Sequence, residues 1–573
     1  MGVFQPVARC RSLHQTPHPL LYLAEEIADS APWGGYRLEC FKLKMRSFPA
    51  LAASGMLLAA TLLALTGCYQ VVPYKITTNV YSNRPVPPSH LQERVMAAYT
   101  ANGTTGGLEI IDGLRDLRGN FQNTIPEWKI SGYSEGNPIR IINFPEETTG
   151  YVLSYNDGNL TDINYGTEAS TGVVMNAGKS APSAAAAPLG TMFAGADEQA
   201  GLLIFITGGV TYDLNLPGVD KAVINPGASV VLAMVQNSNT LYRVVKLPAT
   251  SIPIYPPGYV DCEPILLPAY CVVPVAGTYD RPVNVIFSID GSTAYVLNSG
   301  PENGGKTASV EFLQTSQLNI NLVPTVNPLS SGAPSPVSPL PNGVPNPIPI
   351  PGGVTDAIPD STYLYTAGQQ LQTSGPYQGH WAGNLTTINL STYSVSKPVS
   401  ISDGTHNRML FADNNTLWVG ASNCSNGVRY ATAQAELASQ GYTDQAGNYN
   451  CLTMLTTGTA TPPATIIPQV VQSNISSVTP VTVPYPNTDQ DMYYYGSLTG
   501  LCWVQNYYKV YTAYGGQIHA FYTGLNPNPI LPVEQVEDQN GGTPGSEINN
   551  INMTVQGTVN DVAYIDALTN SAD

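Results

Sequence analysis

Charge is scarce in this 573-residue chain: only 11% of its residues are Asp, Glu, Lys or Arg. Bases are the scarcer sign, with 23 Lys+Arg against 40 Asp+Glu and a net charge of −17. They form no cluster, so the electrostatic footprint of a nucleic-acid partner is missing. Histidine is rare too: beyond residue 68 only His90, His380, His406 and His519 remain, scattered through the chain. No CxxC pair occurs, which removes the usual thiolate frame for zinc. Stretches with helical periodicity are nearly absent after residue 100, which excludes a helical bundle. The sequence names no catalytic residue, no metal ligand and no cofactor.

What is abundant is Gly (53), Pro (48) and Tyr (34), with many Thr, Val and Asn. These residues favour strands and turns, so the chain reads as all-β. The one long apolar run is Phe48–Leu65, preceded by Lys42, Lys44 and Arg46 and ending at Leu65-Thr66-Gly67-Cys68. A basic stretch, an apolar core and small residues before a cleavage point make a secretory signal. The LTGC tetrad resembles the bacterial lipobox. That resemblance implies lipid attachment at the Cys68 thiol and cleavage between Gly67 and Cys68. Met45 would open a leader of ordinary size, 45–67, so residues 1–44 are expected to be untranslated, ahead of a mis-assigned start. Tyr69 follows the Cys in place of a retaining Asp, which implies the outer membrane as the destination. From Cys68 onward 17 bases stand against 36 acids, a net −19.

Residues 68–100 read as a lipid-anchored tether followed by a short amphipathic helix, Ser89–Thr100, capped by Ser89. The organising unit of the rest is Arg281–Ser299. Here an apolar run, Val283–Ser288, turns at Asp290-Gly291 into a second, Ala294–Asn298, a strong hairpin signal. Ala308–Leu313 and Leu318–Val323 are expected to complete a four-stranded blade. Weaker copies flank it, starting at Ile139, Thr191, Lys221, Val354, Arg408 and Gly500. The expected fold is a β-propeller of about seven blades over 101–573. It is closed by pairing of N- and C-terminal strands, with Val559–Ala567 set against Leu108–Ile111. Ser330–Gly353 reads as a Pro-rich surface loop.

Pro282-Val283-Asn284-Val285 followed by Asp290-Gly291 and Tyr295-Val296-Leu297-Asn298 resembles the YVTN-type propeller repeat. The match is good over one blade and loose over the others. That family spans surface proteins, binding proteins and a few lactonases, so it implies the fold more than the function.

Export places the cysteines in an oxidising compartment, where disulfides persist. Cys424 and Cys451 bound an insertion between two strands, and Cys262 and Cys271 flank a Pro-rich loop. Each is a candidate pair, which leaves Cys502 as a buried thiol.

Three motifs match chemistry without its context. Gly300–Thr307 (GPENGGKT) fits the P-loop pattern, but a strand follows it where phosphate binding needs a helix. Gly132–Gly136 (GYSEG) fits the nucleophile elbow, but Asn137-Pro138 leads into another strand. Asn487–Asp491 echoes a calcium loop without its Gly at position 6 or its Glu at position 12.

The resulting expectation is an envelope lipoprotein, monomeric and membrane-bound through its lipid. Its propeller is a non-enzymatic binding or scaffold module for a protein, glycan or small ligand, with a protein or glycan partner met on a rim. The alternative is an extracytoplasmic propeller enzyme such as a lactonase-type hydrolase, which needs recurrent carboxylates at the starts of the inner strands. The starts read off the sequence, Ile139, Lys221, Val283, Val354 and Arg408, show none.

Overall fold

A computed structural model describes residues 86–566, apart from several segments of which 118–127, 442–450, 458–497 and 526–540 are the longest. The leader, Gly67, Cys68 and Asn487–Asp491 lie outside the described residues.

Among the described residues the chain forms eight separate antiparallel sheets. Blade 1 joins the C-terminal strand Thr558–Tyr564 to Arg94–Thr100, Gly106–Asp112 and Trp128–Lys129. Blade 2 is Pro138–Asn143, Thr149–Ser154, Asn159–Asn164 and Ala169–Asn176, and blade 3 is Ser183–Ala186, Met192–Asp197, Leu202–Thr207 and Val210–Asn215. Blade 4 takes five strands: Val219–Ile224, Val231–Val235, Leu241–Lys246, Tyr270–Pro274 and, outermost, Asp261–Glu263. Blades 5 and 6 start at Pro282–Phe287 and Asp356–Pro359, blades 7 and 8 at Thr405–Ala412 and Leu498–Val504.

Hydrophobic clusters show how the sheets are arranged. One cluster lies between each consecutive pair of blades, from blades 1 and 2 round to blades 8 and 1. Eight sheets that meet cyclically, face to face, are a β-propeller. Alternation along a strand explains why both faces are apolar. In Arg94–Thr100, Val95 and Ala97 join the cluster shared with blade 8, whereas Met96 and Ala98 join the one shared with blade 2. Burying one Val, Leu or Ile side chain contributes about 1.5–3 kcal/mol, so these seams hold the ring.

Four expectations are corrected. The count is eight blades, not about seven. The missing blade was hidden because Ser89–Thr100 reads as a helix, while Arg94–Thr100 is a strand paired along its full length with Gly106–Asp112. A run this short and apolar fits either period, and two flanking strands decided it. The C-terminal strand lies directly on Arg94–Thr100, one strand inward of Leu108–Ile111. That pairing is internal to blade 1. The ring itself is not closed by strand pairing, since separate sheets meet through side chains. Finally, Leu318–Val323 is not the fourth strand of blade 5. Thr315–Leu318 is a single helical turn, and the chain then crosses to blade 4, where Ile320 N donates to Ser229 O at 2.8 Å and the Arg243 guanidinium donates to Leu322 O at 2.8 Å. The fourth strand is Ile348–Pro349, from the end of the Pro-rich segment. Asn346 docks it, donating to Phe312 O and accepting from Phe312 N, both at 2.8 Å.

Local chemistry holds elsewhere. At the blade 5 hairpin Gly291 takes φ +68°, and Asp290 accepts from Ser288 Oγ (2.6 Å) and Ser292 N (3.0 Å). Disulfides join Cys262 to Cys271 and Cys424 to Cys451, and Cys502 is a buried thiol. Cys262 and Cys271 stand opposite each other in the outer ladder of blade 4. Within the Cys424–Cys451 insertion the described residues Ala435, Ala438 and Ser439 are helical.

Buried ions pin blade 1 to its neighbours. Arg94 donates to Asp566 through Nε (2.9 Å) and Nη2 (2.7 Å), and through Nη1 to Glu168 Oε1 (2.8 Å) and Tyr165 O (2.6 Å). Burial opposes the guanidinium charge, but Asp566 and then Glu168 outweigh it and hold Arg94 above its ordinary pKa. Lys509 of blade 8, fully buried, donates to Gly113 O, Leu114 O and Asp116 Oδ2 at 3.1, 3.1 and 2.9 Å.

Candidate functional site at the propeller axis

Six of the eight innermost strands slip register near their start: the ladder skips Ile139, Asp220, Val283, Asn407, Thr499 and Asn560. A bulge of this kind re-aims the side chain that follows it. Those following residues are Arg140, Lys221, Asn284, Arg408, Gly500 and Asp561. In blade 6 the equivalent is Asp356, paired with Ala367 while the preceding Thr355 N also bonds to Ala367 O. In blade 3 it is Ser183, opposite Ala196. Around the ring from blade 1 the set reads Asp561, Arg140, Ser183, Lys221, Asn284, Asp356, Arg408 and Gly500.

These positions meet. Asp561 Oδ2 lies 3.7 Å from Arg140 Nε of blade 2, and its Oδ1 lies 3.7 Å from Arg408 Nη2 of blade 7. Arg408 reaches past blade 8 because Gly500 stands there. A Cβ at Gly500 would lie 2.6 Å from Val562 N and 3.0 Å from Asp561 Cα. Asn284 Nδ2 donates to Asp356 Oδ1 at 3.2 Å. Lys221 feels the charges of Asp356, Arg140 and Arg408. Blade 4 is three blades from blade 7, so side chains on the two interact only across the axis.

The carboxylates are held from behind. Asp561 accepts from Val562 N (3.1 Å) and Ile141 N (2.9 Å), and Asp356 from Ala357 N (3.0 Å). Burial pushes Asp356 above the usual carboxylate range, against the pull of Lys221, Arg408 and Arg140. Arg408 is pushed down to about 10, first by burial and then by Arg140. Lys221 falls to about 8, chiefly through burial, with Arg140 and Arg408 adding to the fall and Asp356 resisting it. The neighbouring Asp220 rises to about 6, mainly by burial. The axis thus gathers three cations and two carboxylates, an arrangement suited to binding a charged group.

Sequence reasoning missed this ring by one residue in two blades and by two in a third, taking Ile139, Val283 and Val354 as the starts where Arg140, Asn284 and Asp356 face the axis. The usable signal was a buried residue, a skipped residue and then a polar one, as in Pro138-Ile139-Arg140 and Pro282-Val283-Asn284. Among the described residues no group of three or more His, Cys, Asp or Glu side chains is placed to hold a metal.

The other motifs serve structure. In the P-loop-like segment the amides of Lys306 and Thr307 both donate to Asp280 Oδ2 at 2.7 Å, so an internal carboxylate fills the place of phosphate. Glu302 of that segment accepts from Gln369 N and Nε2 of blade 6, and burial raises it to about 7. In the elbow-like segment Ser134 lies outside the described residues, and Tyr133 bonds Ser154 at 2.8 Å. His406 and His519 are buried in blades 7 and 8.

No protein-family model matches the chain, and no curated protein matches it. Solved structures do. Hydrazine synthase of Kuenenia stuttgartiensis is 12% identical, with a TM-score of 0.39, over 71% of this chain and 99% of that one. Apo AztD from Citrobacter koseri is 10% identical, with a TM-score of 0.38, over 82% and 97%. The β-propeller domain of Cps50 (Swd1) from Myceliophteria thermophila is 8% identical, with a TM-score of 0.35, over 66% and 94%. These are likenesses only; that the chain is an all-β propeller rests on its own eight cyclically packed sheets.

Proposed function

We propose that the protein is an envelope-anchored lipoprotein with YVTN-like repeats, lipidated at Cys68, whose propeller is a non-enzymatic binding module. The leader and the LTGC tetrad support the anchor, and Tyr69 supports the outer membrane. One observation carries the binding reading: eight equivalent inner-strand positions converge on the axis and hold opposite charges that largely balance one another. Such a set orients a bound charged group through electrostatic contacts. The Cys424–Cys451 insertion and the Pro-rich segment supply further surface on which a protein or glycan partner can dock.

The full-length protein, extracted in detergent, tests this against a panel of small sugars, amino acids, organic acids and lactones. A ligand that raises the melting temperature and is recovered unchanged after prolonged incubation supports the reading. A panel member that is hydrolysed overturns it in favour of the lactonase-type alternative. For the anchor, Cys68→Ser is expected to abolish palmitate incorporation, and labelling of that variant would refute the lipid site.

A further inference from the structure

The charges at the axis are unequally satisfied. Asp561 serves two arginines, and Asp356 is held by Asn284 and its own strand. Arg408 additionally donates to Thr499 O (2.9 Å) and Asn407 O (3.0 Å). Among the described residues the Arg140 guanidinium has only its 3.7 Å contact with Asp561, and its side chain is 43% exposed. The Lys221 ammonium makes no side-chain hydrogen bond or ion pair among the described residues, and water reaches it. Its three donors are therefore open to an acceptor from solution.

Arg140 and Lys221 flank blade 3, whose inner strand is Ser183-Ala184-Ala185-Ala186. Water reaches Ser183, Ala184 and Ala185 as well as Lys221, so these short side chains border an open space. Two cations with few acceptors among the described residues therefore flank the short, water-accessible side chains of blade 3.

We propose that this gap binds a small oxyanion, a carboxylate or phosphate group, held between the Lys221 ammonium and the Arg140 guanidinium over the short side chains of blade 3. This rests on the binding-module reading and names its ligand class. The ammonium loses its proton as pH rises through about 8, and binding weakens with it. The charged groups facing it are Asp220, Arg140, Asp356 and Arg408.

The test is calorimetric titration of the full-length protein at low ionic strength with inorganic phosphate and, separately, with acetate. Saturable one-to-one binding of either probe is expected, and which one binds tells a phosphate group from a carboxylate. Lys221→Gln should weaken that probe by about tenfold or more, and Arg140→Gln by less. Acetate affinity should fall about tenfold between pH 7 and 9 in the native protein and stay flat in Lys221→Arg. Should Lys221→Gln fail to fold, Ser183→Leu, which fills the gap and spares every charge, is expected to abolish binding. Unchanged affinity in a folded Lys221→Gln or Ser183→Leu protein overturns the proposal. So does the absence of binding by both probes when a neutral panel ligand binds, a result that leaves the binding-module reading standing.

Discussion

Two places in this propeller bury ions, and they treat them differently. At the blade 1 seam Arg94, Asp566 and Glu168 lie at 2.7–2.9 Å with side chains no more than 4% exposed. At the axis Arg140 and Arg408 stand 3.7 Å from Asp561, and the Lys221 ammonium has no bonded partner among the described residues. A buried charge is tolerated when its lone pairs and protons are met, and the seam meets them. The seam also joins Arg94 to Asp566, residues more than 470 positions apart, which holds the first and last strands of blade 1 together. The axial cations remain reachable by water and keep spare donors. Satisfied charge specifies the fold here, and unsatisfied charge is available to a ligand.

The sharpest way to break the comparison is to remove one seam partner. Asp566→Ala leaves Arg94 buried with Glu168 alone and is expected to cost about 3–5 kcal/mol, read by urea unfolding. A loss comparable to a surface substitution would place the seam with the loosely paired axis. A smaller effect is expected from Gly500→Ala, whose new methyl would displace the inner strand of blade 1. About 1–3 kcal/mol of stability should go, and a crystal structure should show Asp561 moved from Arg408. The smallest belongs to Arg408→Gln at the axis, expected within about 1 kcal/mol, since its 3.7 Å pairing is loose and its side chain 18% exposed. Added salt should shrink that last difference further while leaving the Asp566→Ala cost intact, because only the axial pair is screened.

The sequence by itself determined what neighbours along the chain can decide. Asp290-Gly291 and Asp157-Gly158 set their hairpins because Gly accepts positive φ there, +68° and +70°, and because Asp can accept from the turn's own amides. Alternating apolar runs gave most strands, since a strand's period of two survives in any context. Cys424 and Cys451 could be matched because each borders a strand of the same hairpin. Tertiary structure alone decided the rest. Arg94–Thr100 became a strand only because Gly106–Asp112 and the distant Thr558–Tyr564 took up its backbone hydrogen bonds. The fourth strand of blade 5 came from beyond the Pro-rich segment, where Asn346 met Phe312. Lys221 and Arg408 were legible as strand starts, but that Arg140, Asp356 and Asp561 join them was not, for the five are far apart in the chain. Only a closed ring, with a one-residue bulge in most inner strands, turns them to a common axis.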